Sequence, residues 1–131
     1  MRWFNKGKPN DLWDEVIQWP IDDLEAARRI RDVCNSALGS AERVGSLVGG
    51  AETTASIYET MRYKRAAKAA TEIAIKISDD LLRDAALYQI VVLCVKASEL
   101  RTAAILFRAI QAASIKEDML INYPALRQAV T

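Results

Sequence analysis

The chain contains no histidine, and that absence excludes more chemistry than any residue present admits. Ser-His-Asp and Cys-His catalysis, His-ligated zinc and the Glu-x-x-His pattern of di-iron bundles all require an imidazole. Cysteine is nearly absent as well: Cys34 and Cys94 stand alone, whereas an all-cysteine zinc site needs four thiolates. Both fall on apolar helical faces, where a thiol behaves as a small hydrophobe, so a disulfide is the lesser reading. No strand is predicted, which leaves a Gly-rich phosphate loop without its usual setting. An enzyme is therefore not expected, and neither is a metal or a cofactor.

Charge of one sign is missing too. Eighteen Lys and Arg oppose seventeen Asp and Glu for a net charge of +1, too little to imply a polyanionic partner by itself. The longest apolar run, Ala85 to Val95, is interrupted by Gln89 and is about half the length needed to cross a bilayer. Met1 to Pro9 carries Arg2, Lys6 and Lys8 with no apolar stretch after them, so no secretory leader is expected and a reduced cytoplasm is the expected compartment.

What is present is helical periodicity in a chain that is 51% apolar and 27% charged, a globular profile. One spacing occurs three times: Ala26-Ala27 with Ile30, Val33, Cys34 and Ala37; Ala66-Ala67 with Ala70, Ile73, Ala74 and Ile77; Ala103-Ala104 with Phe107, Ile110, Gln111 and Ser114. A period near 40 residues is the size of one helical hairpin. Residues 1–21 read as an aromatic-rich segment holding a short helix, Asp11 to Trp19, ended by Pro20. Residues 22–131 read as a single all-helical domain. Its first helix is expected to run from Asp22 or Asp23 to about Leu38, before the glycines at 39, 45, 49 and 50 weaken the pattern and leave Gly39 to Thr54 as either a short helix or a loop. Thr53 or Thr54 caps a helix carrying Ile57 and Met61 on one face. Asp79 and Asp80 cap a helix to Ala97 whose Leu87 to Val95 stretch is apolar all round and must be central. Leu100 to Ile110 forms the next, Lys116 to Asp118 a connection, and Met119 begins the last, with Pro124 either kinking it or opening a final short helix.

The hairpin built from Ala66-Ala67, Ile73-Ala74, Ile77-Ser78-Asp79-Asp80, Leu82 to Leu87 and Ile90 resembles tetratricopeptide-like bacterial helical repeats, with a second copy from Ala103 to Val130. The resemblance implies five to six antiparallel helices stacked as hairpins and a non-catalytic protein-binding or adaptor function. A compact helix bundle is the alternative architecture.

Three groups of residues are candidates for recognition. Arg62, Lys64, Arg65 and Lys68 form a basic cluster beside Tyr58 and Tyr63, suited to a solvated helix face or to an acidic partner. Trp3 and Phe4 are either packed back or exposed as partner anchors. The expected contact residues for a protein or peptide partner are thus Trp3, Phe4, Tyr58, Arg62, Tyr63 and Arg65, with self-association through the last helix also expected and a nucleic acid at the basic cluster as the alternative. Asp79, Asp80 and Asp84 suit helix capping better than a cation site.

Overall fold

Local capping determines where the helices start. In a computed structural model describing residues 11–47 and 53–131, Asp22 accepts a hydrogen bond from the Glu25 amide at 2.7 Å and opens α1, Asp23–Gly45. Thr53 and Ser56 form a reciprocal capping box that opens α2, Thr54–Ala74, satisfying donors that the first helical turn leaves without partners. Asp79 accepts from the Leu82 amide at 2.8 Å and opens α3, Asp80–Lys96. Three shorter helices follow: α4, Leu100–Ala109, α5, Ala113–Asn122, and α6, Ala125–Val130. The described residues are all-helical apart from their connections, without a strand.

Helix α3 is the hub. Ala86, Leu87, Ile90, Val91, Leu93 and Cys94 are all buried, covering most of its circumference, and it touches α1, α2, α4 and α5. Removing one such Leu or Ile side chain from water contributes about 1.5–3 kcal/mol, so this helix anchors the fold. The small residues Ala26, Ala37, Ala41, Ala66, Ala70 and Ala74 are buried on α1 and α2, where short side chains let helix axes approach closely. The three Ala-Ala stripes thus all contribute to one core, and α6 seals its end with Leu126 packed beside α4.

Three boundaries differ from the sequence reading. The first expected helix, Asp11 to Trp19, is only a 3-10 turn over Leu12–Asp14. Leu12, Val16 and Trp19, which would share one face of such a helix, are exposed, and Trp13 is the residue buried. A segment this short gains too little from helix propagation to stay helical without an apolar face to bury.

Helix α1 passes through Gly39 and ends at Gly45, beyond the Leu38 limit, because Ser40 and Ala41 are buried against α2 and tertiary packing outweighs the cost of Gly39. Gly45 itself is required. A Cβ there would stand 2.2 Å from the Lys96 carbonyl oxygen at the end of α3, so the two helix ends meet backbone to backbone. Gly49 and Gly50 lie outside the described residues.

Helix α5 starts at Ala113, so Lys116 to Asp118 are helical and not a connection. Its entry is fixed by a distant residue, Asp84. Pro124 separates α5 from α6, ending one helix and opening the next.

The end of α3 is a Schellman turn: the Glu99 amide donates to the Cys94 carbonyl and the Ser98 amide to that of Val95, both at 2.9 Å. Ser98 takes the left-handed position at φ 60° that glycine usually fills.

Candidate functional site

The basic cluster on α2 divides into two parts with different roles. Arg62 faces inward along the chain's own polar network. Its Nε donates to Ser40 Oγ at 3.1 Å and its Nη1 to Asp11 Oδ1 at 2.7 Å, while Ser40 Oγ donates to Glu59 Oε1 at 2.6 Å and Arg43 pairs with Glu59 at 3.2 Å. The guanidinium also lies over the rings of Trp13, 4.8 Å from its centroid, and Tyr58, 5.6 Å away, within cation–π range. Arg62 therefore holds the 3-10 turn against α1 and α2. Tyr58, 58% exposed, presents one ring face to that guanidinium and keeps the rest in solvent.

Tyr63 is not a surface anchor. It is 2% exposed, inserted from α2 toward Cys94, and burial together with the neighbouring Cys94 pushes its phenol well above the ordinary range. Its place at i+5 from Tyr58 puts the two rings on different sides of the helix, which explains the split. Arg65 is exposed, as are Lys64 and Lys68; among the described residues Lys68 approaches Glu72 at 4.0 Å, and Arg65 and Lys64 make no ion pair. Trp3 and Phe4 lie outside the described residues.

Beside Tyr63 runs a groove of about 450 Å³ between α2 and α4. Both helices rest on α3, and the space between them is floored by Tyr63 and Ala67 and walled by Thr71 on one side and Thr102, Ile105 and Leu106 on the other. Lys64 and Lys68 stand along the α2 rim, with Glu72 and Glu99 also at its edge. Ile105, 60% exposed, was the available signal: it is the large apolar residue of α4 lying off the buried stripe.

A second cleft, of about 560 Å³, opens where the N-terminal segment crosses α1 and α2, with Trp13, Ile17, Val33 and Ile73 inside and Trp19 and Lys76 at its edge. Charges line the mouth as a chain of pairs: Glu15 with Arg29 at 3.5 Å, Arg29 with Glu25 at 3.0 Å, Glu25 with Arg28, and Arg28 with Asp32 at 3.6 Å. Arg28 beside Glu25 holds that carboxyl below its ordinary range.

No family model, curated protein or solved structure matches this chain. What these sites can do is thus read from their chemistry. The carboxylates at the start of α3 are capping groups: Asp80 pairs with Arg83 at 2.6 Å, Asp79 caps the helix, and Asp84 is buried against backbone amides. Among the described residues no cluster of carboxylates and thiols has metal-holding geometry. Burial pushes the Cys34 thiol up to about 12 and raises that of Cys94, which suppresses the reactive thiolate. The groove between α2 and α4 is apolar within and charged at its rim. Among the described residues no helix is long and apolar enough to cross a membrane.

Proposed function

We propose that the protein is a non-catalytic binding module of the stacked-hairpin kind, which receives an amphipathic segment of a partner protein in the groove between α2 and α4. The observation that carries this reading is the exposed Ile105 and half-buried Leu106 across an open groove from Ala67 and Thr71, with Tyr63 at its floor. Rigid helices present such a groove ready-made, so little ordering entropy is lost on binding. Apolar residues at i, i+3, i+4 and i+7 of a partner helix supply affinity, and Lys64 and Lys68 on the rim favour acidic flanks.

The test is selection of a displayed library of linear peptides on the full chain. Enriched sequences should carry that apolar spacing, and Ala67→Glu or Ile105→Asp should weaken their binding by about tenfold or more, with little change between low and high salt. The competing reading is a nucleic acid on Lys64, Arg65 and Lys68, favoured by Lys64 and Arg65, which are exposed and make no ion pair among the described residues. Binding of a single-stranded oligonucleotide that falls steeply with salt and vanishes when Arg65 and Lys68 become Ala, with no enriched peptide, would replace the first reading by the second.

A further inference from the structure

The cleft between the N-terminal segment, α1 and α2 has features that peptide binding in the other groove does not use. Its volume of about 560 Å³ lies in the range of about 300–1,000 Å³ occupied by small-molecule sites. Trp13, 7% exposed, lines it and carries the one buried side-chain polar atom among the described residues that lacks a hydrogen-bond partner, its indole Nε1.

The sign of the ligand's charge follows from which lining groups are already engaged. The four carboxylates of the wall each face a cation of the chain: Glu15 and Glu25 face Arg29, Asp32 faces Arg28, and Glu72 faces Lys68. Arg28 and Arg29 are thereby engaged as well. Lys76 is the lining cation that makes no ion pair among the described residues; its ammonium lies 5.1 Å from the centre of the Trp19 ring. Lys76 and Trp19 thus place a positive charge and an aromatic face side by side at the mouth, above an apolar interior of Ile17, Val33 and Ile73. We propose that this cleft binds a small amphiphilic monoanion, an aromatic or medium-chain aliphatic body carrying one carboxylate or sulfonate, with the body against Trp13 and Ile73 and the anion at Lys76.

The probe is anilinonaphthalene sulfonate, titrated into the full chain while its emission and the tryptophan emission are followed. The expected result is a saturable one-to-one increase, with energy transfer from tryptophan, reversed by decanoate and not by decylamine. Lys76→Gln should weaken the probe about three- to tenfold, and Lys76→Arg should restore it. Ala69→Phe, which places a ring into the cleft from α2, should abolish binding while the helical circular dichroism is retained. Ile105→Asp in the other groove should leave binding unchanged, which separates this site from the peptide-binding reading. Displacement by decylamine in preference to decanoate, equal binding to Lys76→Gln, or a linear unsaturable signal would overturn the proposal, and because Lys76 is exposed its variants report even if Ala69→Phe fails to fold.

Discussion

The carboxylate of Asp84, on α3 and 2% exposed, accepts hydrogen bonds from the backbone amides of Gln111 at 3.2 Å and Ala112 at 2.9 Å, 27 and 28 residues away and just before α5. Ala112, the N-cap residue of α5, has no side-chain acceptor, and Asp84 instead fixes the chain's entry into the helix by holding the amides of Ala112 and of the residue before it. A negative charge there also meets the positive end of the α5 dipole. The same contact locks the C-terminal helices onto the hub helix.

Removing that carboxylate should release α5. Asp84→Ala leaves two amide donors without their acceptor, and we expect a loss of about 2–3 kcal/mol in urea denaturation. Native-state hydrogen exchange should speed up at Gln111 and Ala112 before it does in α1 or α2. Uniform acceleration across the chain would show instead that α5 and the hub open together.

Two glycines of α1 should respond with opposite sign. Gly45→Ala forces its methyl into the Lys96 carbonyl and should destabilise by about 2 kcal/mol or more, since backbone must move. Gly39→Ala meets only the flexible Arg43 guanidinium at 3.6 Å and should stabilise by about 0.5–1 kcal/mol through helix propensity. Thermal midpoints of the two variants measure the contrast.

Asp23 ties the start of α1 to the turn before α3. It accepts from Ser78 Oγ and from the amide of Asp79, both at 2.9 Å, and from the amide of Ser78 at 3.2 Å. These bonds, the Asp79 amide foremost, hold its pKa below the ordinary 3.8. A carboxyl depressed on folding contributes stability that is present above its unfolded pKa and lost as pH falls through the folded one. Asp23→Asn should therefore lower stability at neutral pH and flatten the acid side of the stability profile below about pH 4. An unchanged acid limb would mean the turn does not depend on this charge.

The buried thiols should be silent toward Ellman's reagent in the native state at pH 8. The Cys34 pKa of about 12 leaves almost no thiolate, and Cys94 is fully buried. Both should react at once in denaturant. Fast native-state labelling would place at least one thiol at the surface.

The sequence made the long helices readable and the aromatic segment unreadable, for one physical reason. Where apolar residues recur on one face, as at Ala66, Ala70, Ile73 and Ala74, the face that is apolar in sequence is the face that packs. Where local and distant interactions compete, the pattern misleads. Leu12, Val16 and Trp19 share a helical stripe, yet the ion pair of Asp11 with Arg62 and the stacking of Arg62 on Trp13 position that segment instead. The start of α5 was hidden because the residue that fixes it lies on another helix. Of the expected contact residues, Arg65 and Tyr58 are at the surface, Arg62 is engaged internally and Tyr63 is core. The groove walls on α4 were legible only as an off-stripe isoleucine.

Amide chemical-shift mapping reads out whether a partner seats in the proposed groove between α2 and α4. With a peptide selected on the full chain added stepwise, the account predicts saturable shifts concentrated at Ala67, Thr71, Thr102, Ile105 and Leu106, lost in Ile105→Asp. Shifts confined to Arg65 and Lys68 that vanish in high salt, or spread evenly over α1 and α3, would contradict it.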